Sequence, residues 1–454
     1  MNIKDTIVAQ STPLGSAATS SVRLSGSESI NIVNKVFPSK DLRTVNSHTI
    51  HFGNFIYENK IIDEVILSIF KEPNSYTKEN IVEISCHGSE IIVNKIILIL
   101  IKLGARVAER GEFTFRSFIN GNMDLSQAES VADLISGKTE NAHRIAINHL
   151  KGIFSNKIKK LRSDLLNLSS LLELELDFSE EDVEFANRDI LSNLLNEIDQ
   201  FCKILIDSFK LNNAVKKGIS VVILGKPNVG KSTLLNNILN DDKAIVSEIP
   251  GTTRDIIEDT ITIGNNLVRF IDTAGLRKTK DKIENIGIDK ALNKIKESSI
   301  VLYLIDLHKT SINDIKKEIS QKFLKENNLI IVGNKIDLDT KDECKEYFKK
   351  NKYMMISSLN ENNINDLKDK LDDYIKSNII DDTSDIMINE RHYNSLLKVR
   401  ESIKNVKINI ENKSNTDLLA LDIKYALDSL GQITGEVTND EILGNIFSKF
   451  CIGK

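Results

Sequence analysis

Gly225-Lys-Pro-Asn-Val-Gly230-Lys231-Ser232, set between the apolar run Ile219 to Leu224 and a helix-forming stretch, is the segment on which the fold turns. A G-x-x-x-x-G-K-[ST] pattern in that context lets backbone N–H groups wrap phosphates at a helix N-terminus. Lys231 supplies positive charge to the β/γ oxygens, and Ser232 can ligate Mg²⁺. Outward from this loop, strands and helices alternate between Gly218 and about Ser377. Apolar runs of strand length recur at Ile256 to Ile263, Leu267 to Ile271, Ile300 to Ile305, Leu329 to Val332 and Tyr353 to Ile356. Their spacing predicts a mostly parallel sheet covered on both faces.

Two further motifs stand in order after the first. Asp272-Thr-Ala-Gly275 lies forty positions after Ser232; Asp272 can hold the metal through water, and the Gly275 amide can sense a γ-phosphate. Asn334-Lys335-Ile336-Asp337 follows the run ending at Val332. A carboxylate facing the guanine N1–H and exocyclic amine selects guanine, because adenine would set an acceptor against it. Either motif alone is an ordinary strand-ending turn, but the three in sequence predict a GTP hydrolase. Ser357-Ser358-Leu359 would close over the base, although Ser-Ser after a strand also fits a plain turn. Within Gly251-Thr-Thr-Arg-Asp255, Thr253 is the candidate to complete Mg²⁺ coordination, with Thr252 left for a neighbouring cation; a capped polar loop is the alternative. Leu276 occupies the place where Ras-type GTPases put a water-orienting Gln, so other groups must position water and substitute for an arginine finger.

The composition bounds what else the 454 residues do. Lys+Arg 60 against Asp+Glu 65 gives a net charge of −5 and excludes a generally basic nucleic-acid coat. Apolar residues at 41% and charged residues at 28% predict folded domains. Cys86, Cys202, Cys344 and Cys451 form no C-x-x-C pair, which fits thiols in a reducing, cytoplasmic setting. Met1 to Thr12 lacks a leader pattern, and Ile96 to Ile101 is bounded by Lys95 and Lys102, so neither an export signal nor a membrane span is expected. From Ile3 to about Phe118, short strands (Thr6 to Ala9, Ser21 to Leu24, Val65 to Phe70, Asn80 to Ser85) mix with a helix over Ile91 to Leu103. Helical periodicity runs from a capping box at Asp124 and Gln127 to about Asn212, then resumes after the acidic segment 381–385. The economical layout is an α/β domain inserted into a helical one. His87 reads as a structural turn histidine.

The G motifs, with Leu276 and Gly251 to Asp255, resemble the translation-factor-related GTPases in which a hydrophobic residue replaces the catalytic Gln. The flanks narrow this: Asp5-Thr-Ile-Val-Ala-Gln10, Arg23-Leu-Ser-Gly26, Gly111-Glu-Phe-Thr, Met123-Asp-Leu-Ser-Gln-Ala-Glu129, Leu430-Gly-Gln-Ile-Thr-Gly-Glu436 and Phe450-Cys-Ile-Gly-Lys454. Together they resemble the MnmE (TrmE) family of bacterial tRNA-modification GTPases along the whole chain.

That resemblance implies an α/β P-loop GTPase domain (216–377) inserted into an α-helical domain (119–215 and 378–454), after an α+β folate-binding and dimerising domain (1–118). It implies a homodimer that joins the FAD-dependent partner MnmG in a heterotetramer, with no membrane involved. The pair installs an aminomethyl or carboxymethylaminomethyl group on C5 of the tRNA wobble uridine, using a carbon from 5-formyl- or 5,10-methylene-tetrahydrofolate. GTP, Mg²⁺ and K⁺ are the implied cofactors of hydrolysis. The nucleotide and its metals fall to Asn228, Val229, Gly230, Lys231, Ser232 and Thr233, to Ser247, Glu248, Ile249, Pro250, Gly251, Thr252 and Thr253, to Asp272, Thr273, Ala274 and Gly275, and to Asn334, Lys335, Asp337, Ser357, Ser358 and Leu359. K⁺ would be ligated by Asn228, with Ser247, Ile249 and Thr252 lining the same loop. Catalytic roles fall to Glu284 as a base acting through water, to Arg254 and to Cys451. Taken alone, a Glu in the charged stretch from Lys280 also fits a solvated helix start, and Cys451 also fits a buried inert thiol. Arg23, Glu83, Asn122 and Lys454 occupy the folate-contacting positions. Asn122 stands where the family usually carries Lys, and Ser89 stands where it usually carries Gly. A regulatory GTPase of the ribosome-assembly type is the competing reading, but such relatives carry a basic RNA-binding module or a second G domain. Here an acidic linker, helices and Phe450 to Lys454 follow instead.

Overall fold

The computed structural model describes residues 5–137, 139–177, 187–240, 260–264, 266–271, 298–319, 328–378, 386, 388–412, 416–438, 440–448, 450 and 453. Contacts divide the chain into two units, one collecting 1–135, 149–199 and 395–454, the other 136–148 and 200–394. Of the segments expected in the helical domain, 136–148, 200–215 and 378–394 group with the second unit.

In the first unit a six-stranded sheet runs in the order β3-β4-β5-β2-β1-β6. Its strands are β1 (Ile7–Gln10), β2 (Ala17–Ser25), β3 (Thr49–Tyr57), β4 (Lys60–Phe70), β5 (Ile81–Gly88) and β6 (Arg106–Val107), antiparallel except for β1 with β6. Helix Glu90–Lys102 buries Val93, Ile96 and Leu100 at helical spacing against Val22, Leu67 and Ile84. The other sheet face carries Arg23, Glu83, Phe52 and Ile66. The capping box forms as expected: Gln127 N–H donates to Asp124 Oδ1 at 3.0 Å, and Asp124 N–H donates to Gln127 Oε1 at 2.9 Å. Beyond it, helices Ile153–Asp177 and Thr416–Thr434 pack together, the first burying Leu161, Leu165, Leu168 and Leu172 and the second Leu419, Ile423, Leu430 and Ile433.

A buried arginine ties this unit together. Arg116, 1% exposed, donates to Asp5 at 2.6 Å, to Glu112 at 3.0 Å and to Glu79 at 3.3 Å. The Arg106 guanidinium holds the Asp5 carboxyl below the usual range, against its burial and with further help from Arg116. Burial pushes Glu112 upward, but the Arg106 and Arg116 guanidinia and the Glu109 amide outweigh it and leave that carboxyl lowered too. Arg116→Met is expected to destabilise the protein by about 3–5 kcal/mol, because three carboxylates lose a common partner. Because both folded values are lowered, this stabilisation is present above the ordinary carboxylate range and fades as pH falls through the lowered values. Urea denaturation of parent and variant from pH 7 downward should therefore converge in acid; a constant gap would remove the ionic account.

The second unit holds a sheet in the order β12-β11-β10-β7-β9-β8. Its strands are β7 (Ile219–Leu224), β8 (Thr260–Ile263), β9 (Asn266–Ile271), β10 (Ile300–Asp306), β11 (Leu329–Asn334) and β12 (Met354–Met355), parallel except for the β8–β9 hairpin. The wholly buried run of β10 matches a strand covered on both faces. Among the described residues no helix is long and apolar enough to cross a membrane.

Candidate functional site

The loop between β7 and helix Lys231–Asn240 is shaped by close backbone approach. A Cβ at Gly225 would lie 2.4 Å from the Leu304 carbonyl oxygen, and one at Gly230 would lie 2.3 Å from the Asn334 amide nitrogen. Both glycines have positive φ, at 143° and 102°, so side chains are excluded by conformation as well as by space. The Lys231 ammonium donates to the carbonyls of Gly225 at 2.6 Å and Lys226 at 2.8 Å, folding it over the loop. Ser232 and Thr233 are exposed at the first turn of the helix.

Asn334 holds this loop against the base-reading segment. Its amide donates to Val229 O at 2.7 Å, while its Oδ1 accepts from Ser358 N–H at 2.9 Å and from the Ser358 hydroxyl at 3.0 Å. Lys335 donates to Asn228 O at 2.9 Å and to Asp306 at 2.7 Å. Burial raises the Asp306 carboxyl, yet the Lys335 ammonium and the amides of Lys309 and His308 hold it below its ordinary range. Ser357 donates to Asp337 Oδ1 at 2.5 Å, fixing the carboxylate that the sequence nominates to read guanine. Leu359 is 75% exposed beside these serines. Asn334, Lys335, Asp337, Ser357 and Ser358 are therefore gathered with Asn228, Val229, Gly230 and Lys231. Asp306 was not singled out from sequence; a carboxylate ending the otherwise apolar run Ile300–Asp306 was the available signal. Among the described residues no group of three or more His, Cys, Asp or Glu could hold a metal ion.

Ser247 to Arg254, Asp272 to Gly275, Leu276, Glu284, Cys451 and Lys454 lie outside the described residues. Cys86, Cys202 and Cys344 are buried. Burial and the nearby Asp63 carboxylate push the Cys86 thiol up to about 11, which keeps it protonated and unreactive at neutral pH.

In the first unit Arg23 and Glu83 are cross-strand partners of β2 and β5, with Arg23 Nη2 at 2.7 Å from Glu83 Oε1. The guanidinium also lies 5.8 Å from the Tyr76 ring centroid and 5.6 Å from that of Phe113. Asn122 does not join them directly: its amide donates to Tyr76 O at 2.9 Å and to the Ser117 hydroxyl at 3.3 Å. The chain end is anchored nearby. Phe447 and Phe450 pack with Phe115 and Phe118, and a Cβ at Gly453 would meet the Gln10 carbonyl oxygen at 2.2 Å. Gln10 ends the strand on which Ala9 pairs with Arg23. His87 is corrected from a turn residue to the end of β5, where buried Asp63 accepts its backbone N–H at 2.8 Å and its Nδ1 at 2.7 Å.

Two family models match: "GTP-binding protein TrmE N-terminus" over residues 6–122 and "MnmE helical domain" over residues 125–451. The tRNA modification GTPase MnmE of Flavobacterium psychrophilum is 50% identical over 458 residues, covering 99% of both chains. That of Flavobacterium johnsoniae is 50% identical over 465 residues with the same coverage, and that of Christiangramia forsetii is 47% identical over 476 residues, covering 100% of both.

Proposed function

The chain belongs to the MnmE family of tRNA modification GTPases, and from that premise we propose a K⁺-stimulated GTP hydrolase that drives modification of tRNA. With an MnmG-type, FAD-dependent partner it would install an aminomethyl or carboxymethylaminomethyl group on C5 of the wobble uridine, taking the carbon from a tetrahydrofolate derivative. The observation that carries the GTP reading is the clasp in which Asn334 joins the phosphate loop to Ser358 while Ser357 orients Asp337.

In this reading the backbone around Gly230 binds the β-phosphate, Lys231 neutralises charge growing on the β/γ bridge, and Asp337 accepts the guanine N–H groups. Mg²⁺ would be held by Ser232 and Thr253, and K⁺ by Asn228 with Ser247, Ile249 and Thr252, supplying positive charge beside the phosphates. Arg254 and Glu284 belong to the hydrolytic step, and Cys451 and Lys454 to the folate site. The Arg23 guanidinium can donate to a pterin and the Glu83 carboxylate can accept its N–H groups. The position of Gly453 beside Gln10 supports bringing Lys454 to the same face. Homodimerisation through that sheet face is supported by Phe52, 69% exposed, directly opposite Ile66, with Ile50 beside them. The G domain (216–377) is proposed as an insertion between the helical segments 119–215 and 378–454.

The test is a reconstituted reaction containing MnmG, tRNA, GTP and carbon-labelled folate, run in K⁺ and in Na⁺. Label should enter the wobble uridine and GTP turnover should be faster in K⁺, with Asn228→Ala erasing the salt preference. Equal turnover in the two salts removes the K⁺ role, and unlabelled tRNA removes the folate role.

A further inference from the structure

Lys226 is the one charged residue between the two glycines of the phosphate loop, Gly225 and Gly230. Its ammonium pairs with Glu318 Oε1 on helix Ile312–Ile319. Glu318 is only 5% exposed, and its other oxygen accepts the Tyr303 hydroxyl of β10 at 3.4 Å. Burial and the Glu318 carboxylate push that hydroxyl up to about 12, so it remains a donor at neutral pH. A carboxylate buried this far needs a cation beside it, and among the described residues Lys226 is the one it meets.

The turn from Lys226 to Asn228 is held by two polar ties. Asn228 has a φ of 62°, a left-handed conformation that persists only where the surroundings enforce it. The turn also borders a cavity of about 320 Å³ shared with Asp306, Lys309 and Asp314. At one end Lys335 donates to Asn228 O, and at the other the Lys226 side chain reaches Glu318. The Lys226 carbonyl in turn accepts the Lys231 ammonium at 2.8 Å, so the residue tied to Glu318 also seats the phosphate-binding lysine.

We propose that Glu318 and Lys226 are positioning residues for nucleotide binding, their ion pair fixing the turn from Gly225 to Asn228 so that the loop amides meet the β-phosphate already arranged. The ordering cost of the loop is then met in the fold rather than at binding. GDP and GTP both carry that phosphate, so the contribution is the same for the two and appears in KM rather than kcat.

The test measures GDP affinity and GTP turnover on the full chain. In Lys226→Met the Kd for GDP and the KM for GTP should each rise about tenfold, with kcat changed less than about twofold. Lys226→Arg should keep most of the parental affinity, since a guanidinium can pair with the same carboxylate. Removing Lys226 alone strands a buried charge, so Lys226→Met with Glu318→Leu is measured beside it, together with urea stability. That double variant, free of the stranded charge, should regain stability and still bind both nucleotides about tenfold more weakly. Parental affinity in the double variant, or a loss confined to kcat, overturns the proposal. Should the double variant fail to fold, Glu318→Gln decides: it keeps an oxygen for Tyr303 and removes the charge, and parental affinity there overturns the proposal equally.

Discussion

Glu284→Ala will bind GTP with parental affinity and hydrolyse it about 10²–10⁴-fold more slowly, the loss expected when a general base acting through one water is removed. Leu276 offers no hydrogen bond to an attacking water, so a polar group must come from the segment that follows Gly275. Glu284 lies twelve positions after Asp272. The contacts that determine affinity belong elsewhere: the loop 225–232, Asn334, Asp337 and Ser358 are untouched by the change. The variant should also modify tRNA poorly. Single-turnover hydrolysis at saturating GTP and K⁺, beside nucleotide affinity, decides it: a rate within about threefold of the parent is far too small a loss for that role.

Asp337→Asn will shift the nucleotide preference from GTP toward XTP by a factor on the order of 10⁴, the discrimination a site gains from hydrogen bonds that the wrong ligand cannot satisfy. Guanine presents N–H donors to the carboxylate, whereas xanthine presents an oxygen where guanine has its amine, and the Asn amide can donate to it. The substitution leaves an oxygen to accept the Ser357 hydroxyl, so the segment from Asn334 to Ser358 keeps its geometry. Competition binding with both nucleotides is the measurement. A retained GTP preference would exclude Asp337 from base recognition.

The phosphate-loop motif and its flanking elements were legible because they are local. Phosphate binding needs glycines, a lysine and a hydroxyl within eight consecutive residues, and the strand and helix that confirm the motif, Ile219–Leu224 and Lys231–Asn240, adjoin it directly. The capping box was equally local, because Asp124 and Gln127 satisfy each other's backbone across one helical turn. The sequence does not mark strand β3, since Gly53 and Asn54 in succession break the alternation begun by Ile50 and Phe52, and its place comes from pairing with β4.

Sequence alone determined the chemistry class, because three motifs in order and at the right spacing specify a GTP hydrolase. Only the tertiary structure decided how those motifs hold one another. The bond from Asn334 to Val229 spans 105 residues, and that from Lys335 to Asn228 spans 107. Arg116 reaches Asp5 across 111 residues, and Gly453 meets Gln10 at the opposite end of the chain. Such contacts leave no periodic trace, because a buried polar group needs a partner in space and any sequence separation can supply it. Lys78 and Asn122 are 44 positions apart and share no motif; they line one cleft because the loop after β4 meets the turn after helix Glu112–Ile119, through Lys78 to Gly121 O and Asn122 to Tyr76 O.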